Sequence, residues 1–162
     1  MSKEHNYNLT TKWTGNTGAG TLNYTAFERS YTISAIDKAE IAGSSDPAFR
    51  GDPTKYNPEE MLLASLSSCH MLWYLHLCAQ AEIVVIDYVD QATGVMEETE
   101  DGGGKFKVVT LNPIVTITDI NHTDKAVSLH QKANELCFIA NSVNFPVNHR
   151  PTCKISFYGN KP

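Results

Sequence analysis

Apolar and polar positions divide the chain into stretches of different period. Tyr7 to Trp13, Leu22 to Phe27 and Tyr31 to Ile36 are short runs rich in aromatic and β-branched residues. A Gly-rich turn, Gly15-Asn16-Thr17-Gly18-Ala19-Gly20, separates the first two. This is a hairpin signature and predicts a β-meander within residues 1–56. The end of that segment, Ala42 to Tyr56, is rich in Gly, Ser, Asp and Pro, contains Arg50, and reads as a loop.

At Asn57-Pro58-Glu59-Glu60 the pattern changes. A capping Asn, Pro at the first helical position and two first-turn acids predict a helix start, with Glu60 placed for a capping-box contact. The helix is predicted over residues 57–80. Its apolar residues, including Met61, Leu66, Leu72, Trp73 and Leu77, cover nearly the whole circumference, which predicts a central helix buried on all sides.

From residue 83 to 119 an apolar β-branched run, an acidic Gly-rich turn at Glu97 to Gly104, and an alternating stretch predict a long hairpin. Val109, Leu111, Val115 and Ile117 fall on one face of it. A second helix is predicted over 123–141, with Ala126, Leu129, Ala133, Leu136, Cys137 and Ala140 as its apolar stripe. After a loop at Phe145-Pro146-Val147, a last strand is predicted over 153–158. The fold class expected is α+β, one domain over 1–162 with antiparallel sheet packed around two long helices.

A chain of 162 residues with 41% hydrophobic and 19% charged residues is globular and long enough for one real core. The net charge of −5, with no Lys/Arg cluster, argues against nucleic acid as a partner. The polar N-terminus lacks a signal-peptide pattern, so a cytoplasmic address is expected. Ser65, Ser67, Ser68, His70 and His76 interrupt the apolar run from Met61 to Ala79, which favours a buried helix over a membrane span.

Four cysteines, Cys69, Cys78, Cys137 and Cys153, are spread widely and form no CxxC or CxxH pair. This suits free thiols better than a disulfide scaffold or a structural zinc site. Cys69 lies mid-helix, where a Cys is most often a small buried hydrophobe. Its neighbour His70 points about 100° away, and His76 is about 10 Å along the axis, so neither makes a local Cys/His dyad or a zinc site. Cys78 falls on the opposite helix face from Cys69, and Cys78 and Cys153 read as structural. Cys137 faces inward on the second helix and can meet the first if the two pack together.

Glu59 and Glu60 suit the helix dipole, and a loop arginine such as Arg50 is ordinarily solvent-facing. His5, His122, His130 and His149 have no metal-ligand spacing and read as surface or satisfied residues.

The segment from Asn57 to His70, NPEEMLLASLSSCH, resembles the central-helix motif of the OsmC-like (organic hydroperoxide resistance) family. In that motif an NPE start precedes the peroxide-attacking Cys by the spacing seen between Glu59 and Cys69. The surroundings of Cys137, ELCF, resemble the family's second Cys element, and the order of elements matches end to end. The resemblance implies that Cys69 attacks an organic hydroperoxide, becomes a sulfenic acid, and is resolved by Cys137 as a disulfide. It implies a dithiol reductant such as a lipoylated protein, and neither metal nor flavin cofactor. It also implies an Arg paired with Glu59 to activate the thiol. Arg50 lies within a residue or two of one subgroup's loop arginine, while the other subgroup's hairpin arginine would fall near Asn16. Phe138 stands where the family has Pro, which marks a divergent branch.

Glu59 and Cys69 are about 15 Å apart along one helix, too far to share a site within a subunit. An intertwined two-fold homodimer, in which the Glu comes from the partner, is therefore expected. Two other functions fit the same residues. One is a non-catalytic stress or ligand-binding protein with Cys69 lining a pocket. The other is a Cys-dependent thioester hydrolase with His70 or His76 as base.

Overall fold

The computed structural model describes residues 3–156. The chain forms two compact units, Met1–Leu62 and Leu63–Pro162.

In the first unit, β1 (Thr10–Trp13), β2 (Tyr31–Ser34) and β3 (Ile41–Gly43) form an antiparallel sheet in that order. The strand expected at Leu22 to Phe27 does not form, and β1 pairs directly with β2. Side-chain amides take over this stretch. Asn16 Oδ1 accepts from the N–H groups of Gly18 (2.9 Å) and Gly20 (3.0 Å), and Asn23 Oδ1 accepts from Thr25 N–H (2.9 Å). Such local bonds compete with a strand ladder. A lone bridge from Asn16 to Phe27 is what remains of the hairpin.

The expected loop over 42–56 also carries structure. It contains the end of β3 and a 3-10 turn, Pro47–Phe49, capped by Asp46 Oδ1, which accepts from Ala48 N–H at 2.7 Å.

Helix α1 (Pro58–Gln80) begins as the sequence predicts. Asn57 Oδ1 accepts from Glu60 N–H at 2.8 Å, and Glu60 Oε2 accepts from Asn57 N–H at 3.1 Å. This reciprocal pair satisfies two backbone donors that the first turn would otherwise leave open.

The expectation that α1 is buried on all sides is not met in the single chain. Burial is confined to one stripe at four-residue spacing, Leu66, His70, Tyr74 and Cys78, while Leu72 on another face is 63% exposed. Length and a mean hydropathy of 1.2 would also suit α1 to a membrane span, but its buried stripe carries His70 and Tyr74 into packed protein.

In the second unit, the predicted long hairpin is divided between two sheets. Its strands are β4 (Val85–Asp90), β5 (Thr93–Glu98), β6 (Gly104–Leu111) and β7 (Pro113–Ile117). β4 pairs with β7 in one sheet and β5 with β6 in the other. The corner lies at Asp90 and Asn112. Asp90 Oδ1 accepts from Asn112 N–H at 2.7 Å, and Asn112 Nδ2 donates to Gln91 O at 2.9 Å. Side chains thus replace the ladder bonds given up at the bend. Val109, Leu111, Val115 and Ile117 are all buried, as their alternation predicts.

Helix α2 (Thr123–Leu136) ends earlier than expected, leaving Cys137 as its C-cap residue rather than a member of its stripe. A 3-10 turn, Ala140–Ser142, follows. The predicted Phe145-Pro146-Val147 loop runs into a strand, β8 (Val147–His149), and the last described strand is β9 (Thr152–Ile155). Phe157 and Tyr158, included in the predicted last strand, lie outside the described residues. The sheets are mixed rather than antiparallel throughout, because β8 pairs parallel to β6 and β9 parallel to β7. The crossover that parallel pairing needs is supplied by α2.

Two apolar clusters fill the unit. Tyr74, Cys78, Ile83, Val115, Ile117, Ala126, Leu129 and Ala133 join α1, α2 and the β4-β7-β9 sheet. Leu66, Val109 and Leu111, with Phe106, Phe145 and Val147, join the start of α1's buried stripe to the β5-β6-β8 sheet.

The capping pair gives a direct check. Asn57→Ala should lower unfolding free energy by about 1 kcal/mol, read as a lower urea midpoint at unchanged m-value. An unchanged midpoint would show that Pro58 and the first-turn acids suffice without the cap.

Candidate functional site

The buried stripe of α1 meets α2 through aromatic and imidazole rings. His70 Nε2 and His130 Nδ1 are 3.0 Å apart, and the two rings stack with centroids at 5.3 Å. Tyr74 stacks on His130 at 3.8 Å, and His149 from β8 lies 5.7 Å from His70. His70 and His130 are almost wholly buried. One ring of the hydrogen-bonded pair must donate and the other accept, so the accepting nitrogen carries no proton, and burial disfavours charge on either ring. Burial, and secondarily the charge of His149, pushes His70 down to about 4. Burial, followed by the charges of His70 and His149, pushes His130 down to about 3. The expectation that His130 and His149 are satisfied or surface residues thus holds in part. His130 is a core residue, and His70 is committed to the helix contact rather than turned towards Cys69.

This contact sets the phase of the two helices and brings two thiols together. Cys69 precedes His70 on α1, and Cys137 ends α2 two turns beyond His130. The Cys69 and Cys137 thiols are neighbours close enough to act on each other electrostatically, and both are free. Cys137 is buried, whereas Cys69 is partly exposed. Burial, then hydrogen bonding and charge interaction with Cys69, pushes the Cys137 thiol up to about 11. Backbone N–H groups act in the other direction: Ala140 N–H reaches Cys137 Sγ at 3.3 Å, and that of Ile139 also contributes. The turn after α2 therefore presents peptide donors to the sulfur of Cys137.

Beside the thiols the surface is apolar. Leu72, Trp73 and His76 follow Cys69 at helical spacing and line a recess of about 240 Å³. Trp73 meets both His76 and Phe138 edge to face, at 5.7 and 5.6 Å. Phe138, next to Cys137, is 68% exposed. His76 is a surface residue packed on Trp73.

The other two expected site residues belong to the first unit. Glu59 lies in the first turn of α1 with Oε2 buried and without a hydrogen-bond partner among the described residues. Arg50 ends the 3-10 turn in a left-handed conformation (φ 66°) and, with Arg29, Ser30, Ser44 and Asp52, lines a cavity of about 310 Å³. Gly51 follows it because a β-carbon there would collide with Ser45 O.

The sequence pattern does not single out Arg29. Its guanidinium sits 4.3 Å from the Tyr24 ring centre and 4.2 Å from that of Phe27, and donates to Phe27 O (2.7 Å) and Tyr24 O (2.8 Å). The aromatics at positions −5 and −2 were its only sequence signal. Among the described residues no group of three His, Cys, Asp or Glu side chains is arranged to hold a metal ion. Cys78 is buried in the core cluster with Tyr74, and Cys153, partly buried, packs against that cluster, in keeping with a structural reading.

Comparison with known proteins places the fold. The OsmC-like protein family matches residues 51–151. An OsmC-like protein of unknown function from Vibrio cholerae is similar in structure, with a TM-score of 0.83 at 26% identity over 92% of this chain and 100% of that one. An organic hydroperoxide resistance protein OsmC from Legionella pneumophila shares the fold at a TM-score of 0.65 and 20% identity, over 93% and 99% of the two chains. So does an organic hydroperoxide resistance protein from Elizabethkingia anophelis, at 0.65 and 17%, over 95% and 100%. No curated protein matches the sequence.

Two measurements check the site. In brief alkylation near pH 8, Cys69 should be modified well before Cys137, because the latter is buried and only about 0.1% thiolate at that pH; peptide mass mapping with Cys137 modified first would contradict the geometry. The histidine contact carries a pH signature. Both rings titrate lower folded than unfolded, so the unfolded chain binds more protons below about 6.5. The stability they support is complete above that pH and falls as pH drops towards 4, by of order 1 kcal/mol per pH unit for each ring. Urea titrations from pH 7 to 4.5 should show that slope reduced in His130→Phe; an equal slope in both proteins would contradict it.

Proposed function

We propose that this chain, which belongs to the OsmC-like family, is a thiol-dependent peroxidase that reduces organic hydroperoxides to alcohols. One observation carries the reading: a partly exposed thiol and a buried thiol close enough to interact, carried by two helices beside an apolar recess.

The chemistry runs in three steps. The Cys69 thiolate attacks the hydroperoxide oxygen that bears the proton, the O–O bond breaks, and the alkoxide leaves as alcohol after taking up a proton. Cys69 is then a sulfenic acid. The Cys137 sulfur attacks Cys69 Sγ, a disulfide forms and water leaves. A dithiol, such as a lipoyl group on a partner protein, reduces the disulfide by exchange and restores both thiols.

Peptide N–H groups at Cys137 Sγ favour its anionic form as it attacks, offsetting the burial that otherwise keeps it protonated. Leu72, Trp73 and Phe138 offer apolar contact to an alkyl chain, a contact hydrogen peroxide cannot use.

Glu59 and Arg50 are assigned here to thiol activation. The helical rise of about 15 Å from Glu59 to Cys69 supports a homodimer in which the acid acts on the partner's thiol.

Reduced protein mixed with one equivalent of an alkyl hydroperoxide such as cumene hydroperoxide is expected to lose two thiols. Cys69→Ser should lose none at these positions, and Cys137→Ser should hold a sulfenic acid that dimedone traps. Unchanged thiols in the parent would remove the peroxidase reading in favour of a non-catalytic role. Release of acid from an acyl thioester by Cys137→Ser, with no thiol loss on peroxide, would favour a hydrolase.

A further inference from the structure

Two acids open α1, and they have different fates. Glu60 is consumed by the capping pair with Asn57. Glu59 is not, and its Oε2 is buried with no hydrogen-bond partner among the described residues. A buried polar atom left open costs about 1–3 kcal/mol, so the position calls for a complementary group.

A second open atom lies in the same unit. Tyr31, the first residue of β2, has its hydroxyl buried and likewise without a partner. Burial, and then the charge of Glu59, pushes the Tyr31 phenol up, so the two groups act on each other electrostatically. The ring is held by its strand partner: Tyr31 pairs with Gly43, where a β-carbon would fall 2.4 Å from Tyr31 Cζ and 2.6 Å from its hydroxyl oxygen. Gly43 is thus the residue that lets the ring lie across β3. Its bridge to Tyr56, with Ser44 N–H donating to Tyr56 O at 3.0 Å, ties that strand to the residue before Asn57. Two charges of this unit are committed elsewhere, Lys55 to Asp52 (3.2 Å) and Ser30 (2.9 Å), and Glu60 to the cap.

We propose that Tyr31 is a positioning residue for Glu59, its hydroxyl donating to the carboxylate and fixing the orientation in which that acid serves the thiol. The terminal torsion of a Glu side chain is soft, so the carboxylate can turn to accept from the phenol. A phenol suits the task because it donates one hydrogen bond without adding a positive charge that would compete with a guanidinium for the acid. The catalytic part of this proposal rests on the peroxidase reading; the pairing itself does not.

The experiment has one arm independent of activity. With ¹³Cζ-labelled tyrosine, the Tyr31 resonance should titrate at lower pH in Glu59→Gln than in the parent, both proteins being folded by circular dichroism. An unchanged titration would overturn the pairing. In the second arm, kcat/KM for cumene hydroperoxide is compared in the parent, Tyr31→Phe, Glu59→Gln and the double variant. Tyr31→Phe keeps the ring over Gly43 and should lower kcat/KM about tenfold, the scale of one hydrogen bond to a charged group. It should have little further effect once Glu59 is Gln, whereas a merely structural role would add its full effect in both backgrounds and overturn the positioning claim. A parent that consumes no peroxide removes the peroxidase reading alone, and the titration then decides the pairing.

Discussion

The hydrogen bond between His70 and His130 is the contact on which the arrangement of the two thiols depends. It joins α1 to α2 in the middle of their buried faces, where Tyr74 stacks on one side and His149 approaches from β8. Imidazoles at this place cost desolvation, and one hydrogen bond returns only about 1 kcal/mol net. The bond is directional, however, and an apolar pair of the same volume would not be. Its direction fixes the rotation of α1 about its own axis, and one residue back along that helix the same rotation aims Cys69 at the end of α2.

Cys137 sits at a helix end, a placement that suits the proposed thiol chemistry. A cysteine inside α2 would have its neighbouring peptide N–H groups spent on the helix ladder. As C-cap residue, followed by a 3-10 turn, it has Ala140 N–H within reach of its sulfur. The buried thiol is thus neutral at rest and supplied with donors for the moment it must carry charge. Cys69, partly exposed and beside Leu72 and Trp73, is the thiol that meets solvent, which suits the attacking role proposed for it. The division of roles proposed for the thiols rests on these surroundings rather than on any difference in the residue.

Features set by local interactions were legible in the sequence. The capping pair of Asn57 and Glu60, the extent of α1, and the buried alternation of Val109, Leu111, Val115 and Ile117 depend on residues close in the chain or on period alone. Features that depend on competition between groups were not. Leu22 to Phe27 has strand composition, yet Asn16 and Asn23 side chains bind the local backbone and Arg29 clamps the aromatics into a turn. β8 is too short to show a period and exists because β6 offers it an edge. The histidine contact joins residues on α1 and α2 that no spacing rule connects. Of the candidate site, Cys69 and Cys137 could be named from a motif, but their contact required two helices in register. Tyr31 carried no signal except as one more aromatic in a strand.

The account stands or falls on which thiols react with each other. Mass mapping of peptides from protein oxidised by one equivalent of an alkyl hydroperoxide, without reduction, should show Cys69 linked to Cys137 and both Cys78 and Cys153 free. A disulfide between any other pair, or a Cys69 that remains a thiol while the peroxide persists, would contradict it.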